Sequence, residues 1–179
     1  LDIAMSKYPE NVLKAAGAEV ELINAGYDLT RQINSIEDWA SKGMDVIIIQ
    51  PVDDFAIASK VAQIRSKGVK VFAINHPVMD KNENPTVDLY AGSPNIAMGR
   101  EAAEFIAKKA NGRKVKVAEI MGTLGQVITR ERDESFKETL KKYPNITLVD
   151  VREAEWHADK AMNITVDILT KHPDLFAIF

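Results

Sequence analysis

The stretch VFAINHPVMD (71–80) is an apolar run suited to a sheet interior that ends abruptly in Asn75-His76-Pro77. Asn and His present neutral groups that both donate and accept hydrogen bonds, and proline stops the strand behind them. Similar endings recur along the chain. Val46-Ile47-Ile48-Ile49 runs into Gln50-Pro51, an apolar opening at 2–5 leads to Ser6, and later runs lead to Met121-Gly122-Thr123 and Glu155-Trp156. Arg130 and Arg132 follow the Gly122 loop closely enough for one to point back toward it. Amides match vicinal hydroxyls as both donors and acceptors, and an indole offers a flat apolar surface to the C–H face of a sugar ring. The set therefore suits a neutral polyhydroxylated ligand; a phosphorylated one would call for more cations.

Each of these residues also has a plainer reading. Asn75 could form a turn, Gln50-Pro51 could simply end a strand, and His76 could pack within a loop. Trp156 could be a core aromatic and Arg132 an ordinary helix-surface charge beside Glu131 or Glu134, while Trp39 flanks an apolar stripe and reads as packing. Catalytic patterns are missing: there is no G-x-S-x-G, no H-E-x-x-H and no Gly-Lys-Ser/Thr phosphate loop. His76, His157 and His172 are too scattered for metal spacing, and the lack of cysteine removes disulfides, thiolate ligands and cysteine nucleophiles. The sequence thus implies no enzyme activity, no cofactor and no metal. Net charge is −3 over 179 residues with no basic block, which argues against nucleic acid as a partner of this portion.

Short Val/Ile-rich runs alternate with amphipathic segments. Strands are expected at 2–5, 19–23, 45–49, 69–74, 87–91, 115–120, 146–151 and 175–179. Between them, apolar stripes mark helices: Ile33, Ile36 and Ala40; Ile57, Val61 and Ile64; Ala102, Phe105 and Ile106; Phe136 and Leu140; Ile164 and Ile168. Thr30 is the expected N-cap of the first of these, and Gly43, Gly68 and Gly112 the helix exits. This β-α order predicts parallel sheets with right-handed crossovers. It breaks at 75–95, where two strands are joined without a helix. The expected boundaries are therefore a first α/β lobe at 1–92, a crossing at 93–95 and a second, incomplete lobe at 96–179. The crossover at 7–18 is short for a parallel connection, and both chain ends fall inside apparent strands, so a piece of a longer protein is expected.

In open parallel sheets, ligands sit beyond the carboxyl ends of the strands, where Ser6, Gln50, Asn75, His76, Thr123 and Trp156 fall. At these residues the chain resembles periplasmic sugar-binding proteins of the ribose/galactose-binding type, which share their fold with effector domains of LacI-type repressors. The matching segments are DVIIIQPVDD, KGVKVFAINHP, YAGSPNIAMGREAAEFIAKK, TRERDESF and HPDLFAIF. The resemblance implies two Rossmann-like lobes that close by a hinge on a sugar or polyol. It also implies ligand contacts at Ser6, Gln50, Asn75, His76, Ser93, Thr123, Arg132 and Trp156, with Ser93 at the hinge crossing. Delivery to the permease of an ABC transporter, a periplasmic or extracellular location (lipid-anchored if Gram-positive) and a monomeric state follow from the same likeness. A repressor effector domain is the alternative, and would imply an upstream helix-turn-helix and a dimer. Three departures matter: Asn75-His76 stands where ribose binders often have Asp-Arg, no familiar aromatic segment surrounds Tyr8-Pro9, and the chain stops before the family's usual Asn-Asp pair.

Overall fold

The computed structural model describes residues 2–179, with side chains from Lys7 onward. Two parallel three-stranded sheets form the frame. The first contains β1 (Val46–Ile49), β2 (Lys70–Ile74) and β3 (Leu89–Ala91) in that order; α1 (Asp2–Ala15) and α2 (Leu29–Ser41) precede it, and α3 (Ala58–Arg65) joins β1 to β2. From β3 the chain passes through Gly92-Ser93-Pro94 into α4 (Asn95–Ala110) and the second unit. There β4 (Val115–Met121) is central, flanked by β5 (Ile146–Glu153) and β6 (Leu175–Ile178), with α5 (Val127–Leu140) and α6 (Ala158–Lys171) as crossovers. These are two Rossmann-like lobes.

Each lobe has its own core. In the first, Ile36, Val61 and Ile64 close over Ile47, Ile49, Val71 and Ala73. In the second, Ala103, Ile106, Phe136 and Leu140 cover Val117 and Ile146, and Phe136 stacks on Phe179 with ring centroids 4.5 Å apart. Helices α4 and α5 lie very close together: a Cβ on Gly99 would fall 2.2 Å from the Arg132 carbonyl oxygen, so only glycine fits there. The buried face of α4 consequently runs through Gly99, Ala103, Ile106 and Ala110. Phe105, expected in the core stripe, is instead 60% exposed beneath the Lys109 ammonium.

Three further expectations need correction. Residues 2–5 are not a strand but the opening of α1. Ala4, Met5 and Lys7 are strong helix formers, and a single β-branched residue does not outweigh them. The crossover that looked too short thereby becomes an ordinary 14-residue helix. The segment 19–23 alternates like a strand but joins no sheet among the described residues, where the ladder of β1 runs only to β2. The N-cap of α2 is Asp28, not Thr30: its Oδ1 accepts the Arg31 N–H at 3.0 Å. Gly43, Gly68 and Gly112 do leave their helices with positive φ, as expected.

Glu119, in the middle of β4, is 2% exposed, with the Asp133 carboxylate of α5 beside it and Lys137 Nζ 3.9 Å away. Burial, and then the neighbouring Asp133 carboxylate, raise its pKa to about 8. A carboxyl raised in the folded state favours folding while protonated. That advantage is complete below the ordinary carboxylate range and is lost as pH climbs through about 8. Urea midpoints are therefore expected to fall between about pH 5 and 8.5, and Glu119→Gln, a permanently neutral isostere, to flatten that fall. An equally steep decline in the variant would remove Glu119 as its source.

Candidate functional site

The carboxyl ends of β1 and β2 face those of β4 and β5 across a cavity of about 1440 Å³. Gln50, Asn75 and His76 line it from the first lobe; Gln126, Ile128, Arg132 and Trp156 line it from the second. From this mouth the cavity continues as a groove between residues 17–26 and β1.

Local backbone geometry presents the key groups. Asn75 has φ 65°, a conformation Asn tolerates better than most residues. Its N–H donates to the Ala91 carbonyl at 2.9 Å, and its own carbonyl accepts from the Tyr90 hydroxyl at 3.0 Å. With its backbone tied on both sides, the amide side chain is held at the cavity wall. Gln50 is fixed by α2: Gln32 Nε2 donates to the Gln50 carbonyl at 2.8 Å, while Gln32 Oε1 accepts from Val52 N–H at 2.9 Å.

On the opposite wall, Glu155 and Trp156 have φ 52° and 62° in succession. Such residues cost about 1–3 kcal/mol each in this region and persist only where surroundings hold them. Here the Ala154 N–H donates to Met121 O, His157 N–H to Ala154 O, and Glu155 pairs with Lys160 at 2.6 Å. The Trp156 ring lies on Gly122, where a Cβ would come within 2.0 Å of it, and Nε1 donates to Gln126 Oε1 at 2.6 Å. One face of the indole meets the Arg132 guanidinium, 5.6 Å from the ring centroid. Arg132 Nε donates to Asn95 Oδ1 at 2.9 Å, and burial lowers the guanidinium pKa from its usual value.

Of the eight expected site residues, Gln50, Asn75, His76, Arg132 and Trp156 meet at this cavity. His76 is 6% exposed, with Nδ1 3.2 Å from Asp54 Oδ1. Ser93 lies instead in a separate depression of about 450 Å³ with Tyr90, Asn95, Arg100 and Glu131. Thr123 is half-buried in the loop after β4 and is not part of the cavity wall. The side chain of Ser6 lies outside the described residues; its backbone belongs to α1 rather than to a strand end. Sequence reading missed Gln32, Asp54 and Gln126. Only Gln126 carried a signal, as the residue after Gly125 at a helix start. Among the described residues no cluster of His, Asp or Glu has the geometry of a metal site, and no helix is long and apolar enough to cross a membrane.

A family model described as "Periplasmic binding protein domain" matches residues 3–179. The ribose import binding protein of Bacillus subtilis is 30% identical over 177 residues, covering 99% of this chain and 56% of that protein. The D-allose-binding periplasmic protein of Escherichia coli is 26% identical, covering 99% and 58% respectively. The chain thus spans somewhat more than half the length of these relatives. Among solved structures, the Caulobacter myo-inositol binding protein bound to myo-inositol superposes with a TM-score of 0.85 at 25% identity, over 96% of this chain and 57% of that one. A Mycobacterium smegmatis ABC transporter solute binding protein with bound glycerol gives 0.87 at 27%, over 98% and 59%.

Proposed function

This chain belongs to the periplasmic binding protein domain family, and from that premise we propose that it is part of a solute receptor that captures a neutral sugar or polyol between its lobes. The observation that carries this reading is that Asn75, after β2, and Trp156, after β5, come from different sheets yet wall one cavity. Gln50 and Asn75 supply paired donors and acceptors to ring hydroxyls, the indole stacks on the C–H face, and Arg132 donates to oxygens at the rim. Closure is a hinge motion of residues 1–92 against 96–179 about 93–95, with the ligand bridging both lobes. The loaded receptor delivers its solute to the permease of an ABC transporter, in the periplasm or at the cell exterior, and acts as a monomer without chemical conversion of the ligand. The relatives are named for ribose and D-allose, and the neighbouring structures hold myo-inositol and glycerol; all four are uncharged polyhydroxylated molecules, which supports a neutral ligand.

A thermal-shift screen against pentoses, hexoses, polyols and their phosphate esters tests the reading. A cognate solute at 100 times its Kd adds about 2.7 kcal/mol of stability. Neutral members are expected to raise the melting temperature and phosphate esters to leave it unchanged. A response confined to the esters would overturn the neutral-ligand reading.

A further inference from the structure

Asp53 and Asp54 are adjacent in the loop after β1, yet they make different contacts. Asp53 stays local: its Oδ1 accepts the N–H groups of Phe55 and Ala56 at 2.9 and 2.8 Å. Asp54 is 1% exposed and reaches into the other lobe, where its Oδ2 accepts the Val127 N–H at 2.8 Å. The Asp54 backbone is anchored by the Met79 N–H, which donates to its carbonyl at 2.8 Å, and its Oδ1 faces His76 Nδ1. Val127 is the first residue of α5. The carboxylate therefore satisfies a donor that the helix cannot satisfy itself, at the positive end of the helix dipole. The residue just before it, Gln126, is the one that holds the Trp156 indole N–H. A continuous path runs from His76 through Asp54 to Val127, Gln126 and Trp156.

We propose that Asp54, held by His76, is a positioning residue: it docks the start of α5 onto the first lobe and so seats the Trp156 wall opposite Asn75. The proposal rests on the receptor reading for its consequence, since a wall so placed sets ligand affinity. It assigns His76 a supporting part behind Asp54. An ion pair also spans the two lobes: Arg130 with Glu83 is bidentate at 2.9 Å but exposed and open to salt screening. Asp54 is thus the buried tie, and it holds the lobes together before any ligand arrives.

Val127→Pro tests this directly. Proline is tolerated at the first helical position, where the lost N–H has no partner within the helix, and Gln126 already has the extended backbone (φ −76°, ψ 139°) that a following proline requires. This chain has no cysteine, so in a full-length background freed of any cysteine outside it, Lys81→Cys and Glu134→Cys place one spin label on each lobe. Without any sugar, the parent pair is expected to show a short inter-label distance that is depleted in Val127→Pro and in Asp54→Ala, and not depleted further when the two are combined. Affinity for the strongest responder in a panel of ribose, D-allose and myo-inositol is expected to fall about tenfold in Val127→Pro. Asp54→Glu, which keeps the carboxylate, restores part of the short distance. Identical ligand-free distances in parent and Val127→Pro overturn the proposal. That result is separable from failure of the receptor reading, which shows as no response to any panel sugar.

Discussion

Replacing Trp156 with alanine is expected to weaken binding of the cognate sugar about 30- to 150-fold. The estimate follows from the roughly 2–3 kcal/mol gained when a large apolar side chain is covered, converted at about 1.4 kcal/mol per tenfold. Trp156 is 45% exposed, so it has surface available for a ligand to cover. It is also an unusually fixed surface: two consecutive left-handed residues, a floor at Gly122 and the bond to Gln126 leave the ring little freedom to lose on binding. Trp156→Phe keeps a ring but loses the bond to Gln126, and its affinity is expected to fall between parent and alanine. Titration calorimetry checks both. Parent-like affinity in Trp156→Ala would take the indole out of the binding surface.

The second large effect concerns folding. Phe136→Ala is expected to cost about 3–5 kcal/mol, read as a lowered urea midpoint. Phe136 is fully buried, faces Ala103, Ile106, Val117 and Leu140, and stacks on Phe179. It sits on α5 one turn beyond Arg132, so the cavity left behind also loosens the helix that carries the guanidinium and the α5 N-terminus. A loss under about 1 kcal/mol would mean that the second-lobe core collapses around the gap.

The sequence declared the fold where a strand buries one full face under its helices. Val71 and Ala73 are fully buried and Ile47 and Ile49 nearly so, and these are the runs whose apolar character and proline stops were plain. It misled where local pattern lacked a partner. The 19–23 segment alternates correctly, but a strand exists only when a neighbour's backbone pairs with it. The opening at 2–5 was too short to separate helix from strand by periodicity, and propensity decided it. The cavity residues at strand ends, Gln50, Asn75 and Trp156, were legible because topology places such ends together. Asp54 was not: its partner lies 73 positions away, and nothing in "VDD" distinguishes the acid that caps its own turn from the acid that crosses to the other lobe. Phe105 failed for a related reason, since the close approach of α4 to α5 at Gly99 turned the helix and placed smaller side chains inward.

This chain has two tryptophans, so Trp39→Phe leaves Trp156 as its one indole reporter. Its emission, followed through a sugar titration with and without Asn75→Ala, asks whether one solute touches both lobes. Saturable change in Trp156 emission is expected. Its midpoint should move to roughly tenfold higher sugar concentration, or more, when Asn75 is truncated, because partner hydroxyls are then buried unpaired. An emission that ignores a sugar known to stabilise the protein, or a midpoint indifferent to Asn75, would contradict binding between the lobes.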